Sequence, residues 1–477
     1  MKNMFIALCI IDIIMFTLGY ITEDFGLLYG TTLFLYLLLM VYLSKNMNSK
    51  IVFWCFGITF GIFMFGRIII RPILGVEFLW DRFTDGETMH TFLCLFLALL
   101  ALFVGNYFSK FKYIIGGKDR KIIVYRLQYV VDSSFEPYLR IVTKVLMYAT
   151  IPFKIAEIAF TILFIQSTTY SSQYLVGGGF VPSWVDAMSR AHTFLFVLFL
   201  ALYPEKKETK KACYLEMTVL AFAMIGGNRL EFICTMILIY VYFMFRNNTC
   251  VKDGISENWI NKRLIVIAIV GMIALTVILQ IVGISRGNAS VSVTDNYILG
   301  FFDSMGYSIE IIPLGYRHQG DFFGSKIMYF WEPLFRHFKS LLGVGTYYTG
   351  QTVENAVYGY NFGGTLTYLE SSYLYTVLGG GLGSSYIAEL YHAFGYMGIV
   401  VFNIILGFIL NRLSIKESYN WTKRFFILFV ILGMMKLPRF NCWVWVLDLI
   451  SKINILMFIV VIVIATMLKK RLNVNKS

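Results

Sequence analysis

Apolar runs long enough to cross a lipid bilayer recur along almost all of this 477-residue chain. A bilayer-spanning helix needs about 20 mostly apolar residues. Twelve such runs lie near residues 4–20, 26–43, 51–70, 91–108, 141–165, 188–203, 212–226, 230–245, 264–283, 386–411, 425–437 and 453–468. Charged residues make up only 14% of the chain, against roughly 25% in soluble proteins. The sequence therefore predicts an all-α, polytopic membrane protein with a single integral membrane domain over residues 1–477.

The distribution of lysine and arginine predicts how this protein is oriented. Cytoplasmic loops of membrane proteins collect these residues. If the N-terminus is inside and the runs alternate, most of the 41 Lys and Arg residues fall on the inner side. The densest clusters are Lys206, Lys207, Lys210 and Lys211 in one loop, and Lys469, Lys470 and Arg471 in the tail. We therefore expect both termini in the cytoplasm, and we assign the net charge of +13 to topology rather than to nucleic-acid binding.

Two long segments between the apolar runs differ from the other loops in composition. Residues 109–140 are basic and moderately apolar, which is typical of an interfacial segment on an anionic cytoplasmic leaflet. Residues 285–385 follow the ninth run on the outer side and are rich in glycine and aromatic residues. Connections of this length are usually functional or disordered, and the high apolar content argues against disorder. We expect a folded extracytoplasmic cap between spans nine and ten.

The sequence lacks the motifs that bind nucleotides, metals or redox cofactors. It contains no P-loop, no pair of aspartates two residues apart, and no histidines at zinc-binding spacing. The seven cysteines are scattered and form no Cys-x-x-Cys, so we interpret them as apolar packing residues. We therefore expect no cofactor and metal-independent chemistry.

Basic side chains mark the predicted outer boundary of the membrane at three places. Arg229 follows two glycines, Arg286 stands where the ninth run ends, and Arg317 with His318 lies in the cap. Charge near hydrocarbon is costly and usually marks a site or an ion pair, and arginine binds phosphate bidentately. The structural alternatives are a turn closed by an Arg229–Glu231 pair, a snorkelling Arg286 and a solvated cap loop.

Arginine is also enriched elsewhere on the predicted outer side, whereas lysine dominates inside. Arg67, Arg71, Arg190 and Arg439 are each interpreted individually as boundary anchors. Together with Arg82, Arg229, Arg286, Arg317 and Arg336, they supply the arginine bias that a phosphate-binding cavity would need.

A fourth candidate stretch opens the tenth run. On one continuous helix Glu389, His392 and Tyr396 would share a face, because they are three and seven residues apart. A carboxylate and an imidazole at the mouth of a span could include a general base. The structural alternative is a Glu389–His392 pair that holds two helices together.

The layout and three short motifs resemble the Wzy-type O-antigen or capsular polysaccharide polymerases of bacteria. The motifs are Gly-Gly-Asn-Arg229, Ser285-Arg286-Gly287 and Ile-Ala-Glu389-x-x-x-x-Phe394-Gly-x-x-Gly398. The resemblance implies a GT-C-like glycosyltransferase in the bacterial inner membrane. It would polymerise undecaprenyl-diphosphate-linked oligosaccharides on the outer leaflet, for lipopolysaccharide or capsule, with a chain-length regulator as a possible partner.

On this resemblance the candidate residues take specific roles. Arg229 and Arg286 would bind the diphosphate, with Arg317, His318 and Arg439 as further ligands. Glu389 or His392 would remove the proton from the acceptor hydroxyl.

Two other functions remain open from the sequence. An O-antigen ligase would share the fold and the donor but use a different acceptor. A flippase for lipid-linked oligosaccharide, which is not an enzyme, would need charge at mid-membrane depth, and Lys154, Glu157 and Glu216 provide it. A general transporter is less favoured, because the chain shows no internal repeat.

Overall fold

The computed structural model describes residues 2–111, 135–177, 179–252, 259–260, 271, 277, 296–344, 348–415 and 419–474. Within these ranges all regular elements are helical, and nine helices are long and apolar enough to cross a membrane. The predicted all-α, polytopic class is therefore confirmed. The ninth predicted run, 264–283, and most of the basic segment 109–140 lie outside the described residues.

The described residues up to Lys252 include nine helices of eight residues or more. They are α1 (Lys2–Thr22), α2 (Phe25–Ser44), α3 (Met47–Phe60), α4 (Gly66–Ile73), α5 (Asp85–Phe111), α6 (Glu136–Ser167), α7 (Ser183–Ala201), α8 (Lys206–Ile225) and α9 (Arg229–Lys252). A π-helical turn, Gly61–Phe65, joins α3 to α4, so both belong to one candidate span.

The described residues of the cap and the C-terminal part include nine more α-helices of five residues or more. Those of the cap are α10 (Tyr297–Met305), α11 (Ile311–Arg317), α12 (Lys326–Leu342), α13 (Val353–Tyr358), α14 (Phe362–Glu370) and α15 (Ser372–Thr376). The C-terminal helices are α16 (Tyr386–Arg412), α17 (Trp421–Lys436) and α18 (Lys452–Val474).

Eleven of the twelve predicted runs coincide with helices, although two of these do not qualify as spans by length and composition. Helix α8 begins with a lysine-rich turn, and α17 has only 16 residues. The count of twelve spans stays a prediction.

Helices α5 and α16 pack closely against each other, and glycine makes this approach possible. A Cβ atom on Gly105 would collide with the backbone of Ile404, and one on Gly407 would collide with the backbone of Leu102. Close backbone contact through small residues is typical of helix pairs in membranes. This contact fixes α16, whose first turn carries Glu389.

Helix α16 is not continuous. Gly395 has φ +64° and ψ −160° inside it, a conformation that is essentially restricted to glycine. The segment before the break therefore points in a different direction from the segment after it.

Buried ion pairs fix the cap to the N-terminal half. Arg67 of α4 contacts Glu310 at 2.5 Å and Asp303 at 3.3 Å. Arg71 also pairs with Asp303, and Arg82 with Glu310. Five charged groups from distant parts of the chain thereby satisfy one another next to α10 and α11.

Candidate functional site

A cavity of about 1070 Å³ opens where the cap meets the start of α16. Its walls come from α12 to α15, from residues 173–190 and from residues 439–453. All these segments lie at the end of the bundle that the charge pattern predicts to face outward. Binding sites for ligands are typically concave and of this size.

Glu389 lies in the wall of this cavity in the first turn of α16. Its side chain is buried, and each carboxylate oxygen accepts one hydrogen bond. Oε1 accepts from the Ser384 hydroxyl at 2.8 Å, and Oε2 accepts from the backbone N–H of Cys442 at 2.9 Å. These two donors fix the orientation of the carboxylate relative to the cavity.

Arg439 lines the same cavity from the 3₁₀ turn that follows α17. Its Nη1 lies 3.4 Å from the sulfur of Met305, and its guanidinium lies 5.9 Å from the centre of the Phe63 ring. Among the described residues no carboxylate forms an ion pair with it. Burial lowers its pKa, which means that water does not fully solvate the charge. An anion in the cavity would compensate for that loss.

Arg336 is a second arginine in the cavity wall, on α12. Its Nη2 donates to the backbone carbonyl of Tyr348 at 2.7 Å, and the described part of the chain gives it no carboxylate partner. The neighbouring His337 also lines the cavity, and burial lowers its pKa, so its imidazole is neutral at pH 7. The only carboxylate in the described wall is Glu389.

The remaining lining includes aromatic rings and amides, with Arg190 and Lys452 as further basic groups. Flat rings next to amide groups suit a polyhydroxylated ligand, because rings contact apolar faces while amides exchange hydrogen bonds with hydroxyls. The rings belong to Tyr174, Phe180, Tyr360, Phe362, Tyr375 and Phe440, and the amides to Gln173, Gln351, Asn355, Asn361 and Asn441.

His392 lies outside the cavity lining, although it is one turn from Glu389. Its ring packs against Phe322, Tyr329 and Phe362, with ring centres 4.2, 5.2 and 5.6 Å away. Neither ring nitrogen has a hydrogen-bond partner among the described residues. The structure therefore brings Glu389, but not His392, to the cavity.

The prediction that Glu389, His392 and Tyr396 share one face is wrong for Tyr396. The break at Gly395 turns the chain before this residue, and the Tyr396 hydroxyl instead lies 2.9 Å from Nδ1 of His90. The alternative of a Glu389–His392 pair is not observed either, because Glu389 pairs with Ser384 and Cys442.

Arg317 and His318 form a separate cluster with carboxylates. Arg317 binds Glu87 at 2.8 Å and Glu370 at 3.5 Å. His318 contacts Asp321 at 3.0 Å and Glu370 at 2.9 Å. Neither residue lines the described cavity, and nearby acids already balance their charge.

The two arginines that the sequence favoured most are not in the described lining. Arg229 begins α9 and is half-buried, and Arg286 lies outside the described residues. Sequence reasoning counted Arg336 only within the outer arginine bias and did not select it as a site residue. The available signal was its position on the polar face of an amphipathic helix in the cap.

The described residues contain no group of three His, Cys, Asp or Glu side chains that could hold a metal ion. Residues 4–471 match the family described as O-antigen polysaccharide polymerase Wzy. The chain belongs to this family. The resemblance seen in the three motifs is therefore confirmed, and it extends over nearly the whole chain.

Membership of the Wzy family assigns a general activity to the chain. Wzy proteins are polymerase glycosyltransferases that act in O-antigen synthesis. With the apolar helices, the family shows a multi-pass bacterial membrane protein. No curated protein and no solved structure matches the chain.

Proposed function

We propose that this Wzy-family protein polymerises oligosaccharide repeat units that are carried on undecaprenyl diphosphate, at the outer leaflet of the inner membrane. The growing chain moves from its lipid diphosphate to a hydroxyl of the terminal sugar on a new lipid-linked unit. The bond between the anomeric carbon and the diphosphate oxygen breaks, a glycosidic bond forms, and undecaprenyl diphosphate leaves. Both termini are then cytoplasmic, and the cap is extracytoplasmic.

One observation carries this proposal: the same cavity is lined by a buried carboxylate and by two arginines that have no ion-pair partner among the described residues. Glycosyl transfer to a hydroxyl needs a group that accepts the proton, and a positioned carboxylate does this. A departing diphosphate needs fixed cations, and arginine matches its geometry bidentately. Glu389, Arg336 and Arg439 supply these groups.

Glu389 acts as the base in this proposal, and His392 does not. The hydrogen bonds from Ser384 and Cys442 occupy one lone pair on each carboxylate oxygen, which leaves a further lone pair for the acceptor hydroxyl. His392 packs among aromatic rings and supports the wall that contains Phe362.

The other predicted ligands take different places in the proposal. Arg317 and His318 hold the cap to α5 and α14 through Glu87 and Glu370. Arg229 and Arg286 remain proposed diphosphate ligands on the basis of the sequence alone.

The buried charged residues that had suggested a flippase each have a partner within the protein. Lys154 contacts Glu157 at 3.6 Å and Glu231 at 3.5 Å, and Glu216 contacts His192 at 2.6 Å. Pairing of this kind is the usual way to place charge within a membrane protein. It favours a structural role for these residues and supports the polymerase over the flippase.

The proposal is tested by incubating purified protein in proteoliposomes with an undecaprenyl-diphosphate-linked repeat unit. The wild-type protein should give a ladder of products. Glu389→Gln should lower the rate about 100-fold to 10,000-fold, the usual contribution of a general base, because the amide keeps the shape but accepts no proton.

Glu354→Gln removes an exposed carboxylate of the cap that does not line the cavity, so its ladder should match that of the wild type. A ladder of normal length and yield from Glu389→Gln would overturn the assignment of the base. A single transfer to lipid A core would indicate a ligase, and lipid movement without a covalent product would indicate a flippase.

A further inference from the structure

Helix α12 has two opposite faces with different environments. Pro333, Arg336 and His337 line the cavity. Half a helical turn away, four large apolar side chains form a stripe with spacings of eight, three and four residues, which places them on one face. This exposed stripe consists of Ile327, Phe335, Phe338 and Leu342.

The exposure of the stripe is high. Phe335 is 44% exposed, Phe338 is 47% exposed and Leu342 is 78% exposed. Between the stripe and the cavity face, Lys339 pairs with Glu332 at 2.9 Å. A helix with a cationic face, an apolar face and an ion pair at the edge is typical of an interfacial helix that lies at the membrane surface.

We propose that α12 is the rim across which the lipid-linked substrate binds, with its polyprenyl chain along the exposed stripe. This inference rests on the proposed function and specifies where the lipid part of the substrate lies. The diphosphate contacts Arg336 and Arg439 inside the cavity. The chain then passes over α12 and packs its methyl-branched units against Phe335, Phe338 and Leu342.

The structure favours a polyprenyl chain as the occupant because the two faces belong to one helix. A molecule with a diphosphate and a long apolar tail can contact both faces at once, and neither a free sugar phosphate nor a bulk acyl chain can do so. The cavity combines aromatic rings with amides, glycines and basic groups, a lining that suits the sugars and the diphosphate. The apolar tail lies outside it in this proposal, because the stripe offers an apolar surface on the opposite face of the helix that carries Arg336.

Site-specific photocrosslinking tests this inference directly. Phe338→benzoylphenylalanine places a photoreactive group on the stripe of the full-length protein in lipid nanodiscs. Phe34→benzoylphenylalanine is the matched control, because Phe34 is 42% exposed on α2. The probe is radiolabelled undecaprenyl diphosphate.

We expect severalfold more crosslinking at position 338 than at position 34. Excess inorganic pyrophosphate should abolish the difference, since it displaces the head of the lipid from the arginines. Equal yields at the two positions would overturn the inference. A crosslink at position 338 that pyrophosphate does not compete would also overturn it, because the chain would then be bound independently of the cavity.

The polymerisation assay separates this inference from the proposed function. If the wild-type protein forms ladders without preferential crosslinking at position 338, only the position of the lipid chain is wrong. If crosslinking is specific and competed but no ladder forms, the diphosphate-lipid site stands and polymerisation fails.

A kinetic comparison provides a second readout. Phe338→Gln should raise KM severalfold for a repeat unit on undecaprenyl diphosphate and leave kcat unchanged. The same variant should not change KM for a repeat unit on a ten-carbon prenyl diphosphate, which is too short to cover the stripe. Equal changes with both donors would overturn the role of the stripe.

Discussion

At the scale of single residues, the cavity is distinguished by two arginines that have no acidic partner in the described part of the chain. At the predicted outer end of the bundle, most basic side chains of the described residues form ion pairs with acids, as Arg317 does with Glu87. Arg439 and Arg336 contact only a sulfur atom and a backbone carbonyl, respectively, as hydrogen-bond acceptors among the described residues. A charge that is held in place but not neutralised can bind an anionic ligand strongly.

Arg439→Lys should therefore weaken binding of undecaprenyl diphosphate, although the positive charge remains. Lysine cannot form the planar fork that binds two oxygens at once. Loss of one charge-assisted hydrogen bond costs about 1.5–3 kcal/mol, so the dissociation constant should rise about 10-fold to 100-fold. Isothermal titration of the protein in nanodiscs measures this.

The control for this variant is Arg412→Lys. Arg412 is exposed and donates to the backbone carbonyl of Ser109, and it ends α16, whereas the cavity lies at the start of that helix. Its replacement should leave the affinity unchanged. If both variants bind undecaprenyl diphosphate as the wild type does, Arg439 is not a diphosphate ligand.

At the scale of elements, α16 combines a functional first turn with a central packing segment. The first turn presents Glu389 to the cavity, whereas the second half packs against α5 through Gly407. Gly395 separates these two parts with a conformation that other residues rarely adopt. The break lets the first turn follow the cavity wall while the rest of the helix follows the bundle.

Gly395→Ala should destabilise the protein by about 1–3 kcal/mol, the usual cost of a non-glycine residue in this backbone region. A Cβ atom on Gly395 would meet no other atom within 4 Å, so the effect comes from the backbone alone. Thermal unfolding in detergent, followed by circular dichroism, measures it. Gly30→Ala is the control, because Gly30 has equal space but lies within α2, and it should be neutral or slightly stabilising.

A lowered midpoint for Gly30→Ala with an unchanged one for Gly395→Ala would contradict this account. Polymerisation by Gly395→Ala should fall as well, since an unbroken helix would turn Glu389 away from Ser384 and Cys442.

At the scale of the whole molecule, the sequence predicts what is local and misses what is distant. Apolar runs revealed the helices, because the need to match the bilayer applies to each segment separately. Glu389 was predicted as a site residue because a carboxylate at the start of an apolar run is also a local feature of the sequence. The neutralisation of Arg317 and His318 could not be predicted, since partners such as Glu87 lie 230 residues away. The break at Gly395 was missed because glycine is common within membrane helices.

The ion pairs between α4 and the cap also join residues that are far apart in the sequence. Arg67 is separated by 236 residues from Asp303 and by 243 residues from Glu310, and all three side chains are buried. An arginine after the third run was predicted as a boundary anchor, and the structure shows a buried connection to the cap instead. This connection positions α10 and α11 relative to the bundle.

Arg67→Met should destabilise the whole protein by about 3–5 kcal/mol, because it leaves buried carboxylates with less compensation. Arg190→Met is the control. Arg190 forms an exposed pair with Asp186, and such pairs contribute about 0–1 kcal/mol. Denaturant titration in detergent micelles compares the two variants with the wild type.

Adding Glu310→Gln to Arg67→Met should recover part of the lost stability, since it removes a charge that has lost a partner. If Arg67→Met were as stable as Arg190→Met, the cap would have to be held by its apolar contacts alone.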